Sequence, residues 1–194
     1  MKKHETLKCN DVANYFLILV DRDAGDLLTQ LKLQKLLYLA QGISLAIYDK
    51  PLFNEEIEAW EHGPVVRELR KVYGAFGSDP LPSPGEMDFD IYTQQQKELI
   101  YKIYAQYGEY TASSLRNLTH EHSIWKEAYK TDEQIIIKDK IKYFFKKLKQ
   151  EGEIKDNFLS ISAKDKDAII NAEDKWWMNY DSGVPSEDIS KGIF

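Results

Sequence analysis

A mainly α fold, built as a compact multi-helix domain around a buried central helix with at most short β segments, is what this 194-residue sequence predicts. Three observations carry the prediction. Apolar residues recur at helical spacing along most of the chain, and Thr93/Gln96 and Thr131/Gln134 have the spacing of helix-opening capping boxes. Residues 29–48 are apolar on nearly every helical face, as a helix enclosed by others would be.

In chain order, Asp11 is placed to cap a first helix whose inner face is Val12, Ala13, Phe16, Leu17 and Val20, ending near Gly25. The central helix follows over Thr29 to Tyr48, with Leu33, Leu36, Leu37, Ala40 and Ile47 on one face. Pro51 to Trp60 is too short and irregular for a long helix and reads as an extended segment or short strand. Pro64 suits the first turn of a helix through Val65, Leu69, Val72 and Tyr73, closed by Gly74 and Gly77. Pro80, Pro82 and Pro84 mark residues 78–90 as a loop or linker. Helices are then expected after Thr93, from Ala112 to Leu118 behind Thr111, and after the Thr131/Gln134 pair with Ile137, Ile141, Phe144, Phe145 and Leu148 buried. Phe158 to Ser162 reads as a short strand, and Ser162 caps a last helix with Ala168, Ile169, Ala172 and Trp176 inward. Residues 1–180 are read as one domain, with 131–180 a C-terminal helical extension and 181–194 a loose tail.

Composition narrows the function. At this length folding hides roughly 70% of the unfolded chain's surface, so a core forms without a disulfide or metal staple. Cys9 is the only cysteine, which excludes an intrachain disulfide and a CxxC zinc site and points to a reducing cytoplasm. Residues 4–11 are too polar to continue Met1-Lys2-Lys3 as a signal peptide. The longest apolar run, Tyr15 to Val20, is far short of the about 20 residues that span a membrane. A net charge of -6, from 32 acidic and 26 basic residues, gives a global field that does not attract nucleic acid.

Catalytic patterns are missing. No GxSxG elbow, GxGxxG or Walker loop occurs, and no histidines stand four apart as in HExxH. No cofactor is implied and no enzyme is expected. A metal site from His62, His120 and Glu58 or Glu121 rests on no spacing rule but defines one alternative, a metal-dependent hydrolase.

Two charged segments remain. Lys138 to Lys149 holds six lysines and one aspartate, with Lys138, Lys142, Lys146 and Lys149 at helical spacing opposite the apolar face. This is either the solvated side of an amphipathic helix or a nucleic-acid contact, and the latter defines a DNA-binding autoregulator using the basic helix 133–150. Glu55, Glu56, Glu58 and Glu61 surround Phe53 and Trp60, as on a surface meeting a basic protein, or as ordinary solvated carboxylates beside core aromatics. Trp176 and Trp177 diverge by about 100 degrees on a helix, so one can be buried while the other offers a contact.

Three segments, LTQLKLQKLLYLAQG (28–42), PLFNEEIEAWEHGPVV (51–66) and TASSLRNLTHEHSIWKEAY (111–129), resemble the SocA-like antitoxin family, or Panacea domain, in order and spacing over roughly residues 10–130. The motif residues carried over are Leu33, Lys35, Leu36, Tyr38 and Gly42, then Pro51, Leu52, Phe53, Glu58, Ala59, Trp60, Gly63, Pro64 and Val65, with His62 between, and finally Leu118, Thr119, His120 and Trp125. Ser123-Ile124 and Arg70 depart from the family pattern. The resemblance implies a mainly helical cytoplasmic protein that neutralises a neighbouring-gene toxin by binding it, in one branch as an adaptor to a ClpXP-type protease. Physically the motifs read as architecture: a packed helix, a turn at Gly63-Pro64, a cap at Thr119, and a His120 that ties segments by hydrogen bonds. Phe53, Glu55, Glu56, Glu58, Trp60 and Trp177 are the expected partner-binding residues.

Overall fold

The computed structural model describes residues 6–181, so of the loose tail expected over 181–194 only Asp181 is described, as the end of the last helix. Helix α1 (Cys9–Ile18) is followed by a 3-10 turn at Arg22–Ala24 and by α2 (Gln30–Tyr48). A two-stranded antiparallel hairpin, β1 (Ile57–Trp60) and β2 (Gly63–Val66), leads directly into α3 (Arg67–Tyr73). Helices α4 (Gln94–Tyr107), α5 (Ala112–His120), α6 (Ser123–Ala128), α7 (Lys138–Gln150) and α8 (Ala163–Asp181) complete the order. The fold is mainly α, as expected.

Helix α2 starts at Thr29, whose hydroxyl accepts the Lys32 N–H, and from Leu33 to Ala46 every residue is buried. Helices α1, α4, α5 and α7 and the hairpin all pack on it. A polar residue inside such a helix must find a partner, and its polar side chains find theirs in the backbone of residues 50–66. The Gln34 amide donates to the Val66 carbonyl (3.1 Å) and accepts the Val66 N–H (2.7 Å). Gln41 accepts the Leu52 and Phe53 N–H groups (2.8 and 3.2 Å) and donates to the Phe53 carbonyl (2.9 Å). Ser44 donates to the Lys50 carbonyl (2.8 Å). Two glutamines thus pair with backbone as a neighbouring strand would.

Helix α7 crosses α2 at Gly42, where an added Cβ would overlap the Phe145 ring. Tyr38 meets the same ring edge-on at 5.5 Å. Helix α8 lies on α1 and α4, with Glu173 accepting from the Tyr15 hydroxyl (2.6 Å) and pairing with Lys97 (2.7 Å). The proline loop is held between these layers, since Leu81 N–H donates to the Leu28 carbonyl (2.8 Å) and Trp176 Nε1 to the Pro84 carbonyl (3.0 Å).

Several boundaries correct the sequence reading. Helix α1 opens at Cys9, with Asp11 reaching back to the Lys8 N–H as the third helical residue, not as the cap, and it ends well before Gly25. Pro64 opens no helix. It is a β2 residue opposite Ala59, and the helix waits until Arg67. The Thr131 hydroxyl does accept the Gln134 N–H (3.2 Å), but Gln134 has φ 54 and the chain then extends along β1. Sheet pairing of 134–136 displaces the expected helix start to Lys138 and leaves Ile137 54% exposed. Residues 158–159 lie in a turn and 160–162 are irregular, instead of a strand.

Two substitutions test this packing. Gly42→Ala gains about 1 kcal/mol in helix propensity, but overpacking against a fixed ring costs about 1–3 kcal/mol, so net destabilisation is expected in urea unfolding. Gln41→Leu keeps the volume but strands two N–H groups and a carbonyl, and a loss of about 3 kcal/mol or more is expected by the same measurement.

Candidate functional site

The motif residues of the sequence converge where α2, the hairpin and the α5–α6 pair meet. Lys35 is fully buried, and its ammonium donates to the Pro64 carbonyl (2.9 Å). Gly63, at φ 97, turns the hairpin into this corner, and a Cβ there would lie 2.9 Å from Lys35 Cε and 3.0 Å from Thr119 Oγ1. Glycine is thus required twice over, by conformation and by space. Thr119 donates to the Leu115 and Arg116 carbonyls (both 3.0 Å), so it closes on its own helix and does not cap the next.

The tie expected of His120 is made instead by its neighbour His122. His122, at the N-cap of α6, shares a 2.8 Å hydrogen bond with the Tyr38 hydroxyl, and burial pushes its pKa down to about 4. His120 ties nothing by hydrogen bonds. It stacks on Trp125 at 4.0 Å, and its Nε2, like Arg116 Nε, is shielded from water without a hydrogen-bond partner. Trp125 stacks in turn on Tyr129 (5.1 Å) and donates from Nε1 to the Trp60 carbonyl (3.1 Å), which fixes α6 to the end of β1. Among the described residues, no three His, Cys, Asp or Glu side chains are grouped to hold a metal ion, so the alternative built on His62 and His120 has no ligand set.

The expected acidic and aromatic surface is divided. Phe53 is completely buried, with its backbone bonded to Gln41, and so is a core residue and not a partner anchor. Glu55 is half-buried and accepts the Cys9 N–H (3.1 Å) at the start of α1. Glu58 is buried between Arg67, which grips it with two bonds of 2.7 and 2.8 Å, and Trp60 Nε1 at 2.7 Å. These bonds hold its carboxyl below the usual range, Arg67 contributing most. Glu56 is exposed, and Trp60 half-exposed. Trp177 is 46% exposed beside a buried Trp176, but its ring lies against Phe89 on the α8 layer and does not join the hairpin.

Two open grooves flank the hairpin. One of about 520 Å³ is lined by Gln30, Gln34, Trp60, Glu61, His62, Val65 and Arg70 among others. The other, about 420 Å³, lies between α6 and residues 133–137, with Ile124, Ala128, Ile136 and Ile137 as apolar wall and Glu56, Glu127 and Glu133 as acidic rim. Sequence reasoning missed this second groove because its floor is the segment read as helix.

The lysines of α7 already have acceptors within the chain. Lys142 and Lys146 both bond Asp49 (2.9 and 2.7 Å), Lys138 bonds the Asn54 carbonyl, and Lys149 faces Asp156 at 4.0 Å. The two contacts push the Asp49 carboxyl down to about 2. No helix among the described residues is long and apolar enough to cross a membrane.

The buried ammonium gives a pH signature. Burial, reinforced by the Arg116 charge, lowers the Lys35 pKa to about 7 from the ordinary 10.5. Between those values the unfolded chain holds the proton and the folded chain does not, so stability rises with pH by about 1.4 kcal/mol per unit from this group, and the contribution is flat below 7. Lys35→Met is expected to remove that slope in urea unfolding between pH 7 and pH 10; an unchanged slope would mean that Lys35 stays charged when buried.

Residues 33–126 match the family model described as Antitoxin SocA-like, Panacea domain. No curated protein and no solved structure matches the chain. The matched segment runs from the first turn of α2 into α6 and contains the Lys35, Gly63, Thr119 and Trp125 corner together with both glutamine clamps. Over this segment the chain is similar to the SocA-like antitoxin family, the Panacea domain.

Proposed function

We propose that this protein is a cytoplasmic antitoxin that neutralises a cognate toxin by direct, stoichiometric binding, without chemistry of its own. The family match over residues 33–126 carries the reading. The geometry is consistent with it: the polar groups of the motif corner are mostly bonded within the fold, and Cys9 is buried with its thiol pushed far up by desolvation. Such a frame suits a scaffold whose outer surfaces do the work. Aromatic and acidic side chains at Trp60, Glu61 and Glu56 border the grooves beside the hairpin, where a protein partner with basic residues would gain both apolar burial and charge complementarity.

Co-purification of the tagged chain with the product of its neighbouring gene, with growth rescue of cells induced for that product, tests the proposal. A stable complex with rescue is the expected result. Rescue without a complex would replace occlusion by delivery to a ClpXP-type protease, and loss of rescue in protease-deficient cells would identify that route. Absence of both would remove the antitoxin reading and favour promoter binding through the α7 lysines, recognisable by a steep salt dependence.

A further inference from the structure

The hairpin is extended by a third, irregular strand, and that strand has an open outer edge. Residues 134–136 run antiparallel to β1 through two hydrogen bonds, Ala59 N–H to the Gln134 carbonyl (2.6 Å) and Ile136 N–H to the Ile57 carbonyl (2.8 Å). Glu58 and Ile135 therefore face each other as a non-hydrogen-bonded pair, and the N–H and carbonyl of Ile135 point away from β1. Neither makes a backbone hydrogen bond within the described chain. Ile137 is still extended, at φ -60 and ψ 132, so its N–H points to the same outer side, also without a backbone acceptor. Two donors and an acceptor two residues apart are what an added strand pairs with.

The groove beside this edge supplies the second condition. It is lined by Ile124, Ala128 and the backbone and side chains of 135–137, giving an apolar floor for alternate side chains. Its rim is acidic. Lys140, the one cation in its lining, is paired with Glu127 (3.2 Å), and among the described residues Glu56 and Glu133 have no ion-pair partner. From these features we infer that residues 134–137 receive an extended segment of the toxin, carrying lysine or arginine beside apolar residues, as an added strand along the Ile135 edge. The inference rests on the antitoxin reading and specifies its interface. It places specificity in a segment outside the matched residues 33–126, on a sheet edge that the matched hairpin holds in place.

Ile137→Pro is the informative variant. Its φ of -60 already suits proline, and its N–H serves no bond among the described residues, so the fold should be retained while the outward donor is lost. Ile137→Ala removes the side chain but keeps the donor, and the difference between the two isolates the backbone contact. The probe is a capped six-residue peptide alternating lysine and valine, titrated into the isotope-labelled full-length chain and followed by amide chemical shifts, with a glutamate–valine peptide as control. Saturable shifts at the Ile135 and Ile137 amides are expected with the lysine peptide alone. Binding should be about tenfold weaker in Ile137→Pro than in Ile137→Ala, and weaker again in Glu56→Lys/Glu133→Lys. No movement at those amides, equal response to both peptides, or concentration-dependent dimerisation through this edge in sedimentation would overturn the inference. Growth rescue separates it from the parent reading: rescue by wild type but not by the combined variants supports the edge, equal rescue by both sinks the edge alone, and failure of wild type sinks the antitoxin reading.

Discussion

The structure depends on the polar side chains that α2 buries. A helix enclosed on all sides would ordinarily be apolar throughout, because an unpaired buried amide costs about 1–3 kcal/mol. Gln34, Lys35, Gln41 and Ser44 avoid that cost by taking their partners from the backbone of residues 50–66. The exchange works in both directions. A two-stranded hairpin has little stability of its own, and here its peptide groups are satisfied from inside the core, so the hairpin is fixed to the helix and not merely laid on it.

Everything that faces outward around the hairpin inherits this fixation. Trp125 hangs α6 from the Trp60 carbonyl, and residues 134–136 pair with the far side of β1. The acidic groove between α6 and 133–137 is therefore shaped by elements that all refer back to α2. The family match covers the clamp and its corner but stops at residue 126, so the floor of the groove lies beyond it.

Much of the architecture was legible in the sequence, and the failures have specific causes. The Thr93/Gln96 box, the Thr111 cap and the apolar faces of α2 and α4 needed only local chemistry, and each appears as read. Pro64 and Thr131/Gln134 carried equally good local signals for helix starts, yet tertiary strand pairing overrode both. Phe53 and Glu58 read as surface because acidic neighbours surround them. Only the fold reveals that Gln41 and Arg67 draw them in. Gln34 and Gln41 were the missed signal: amides inside an otherwise apolar helix imply a buried acceptor and donor pair, although the sequence does not say whose.

The α2 glutamines make the hairpin part of the core. Native-state hydrogen exchange at Leu52, Phe53 and Val66 tests it most directly, since all three amides bond glutamine side chains and not a regular ladder. If the claim holds, they exchange only through global unfolding, with the same free energy and denaturant dependence as the α2 interior amides. Exchange through a local opening of residues 50–66, with α2 still protected, would contradict it.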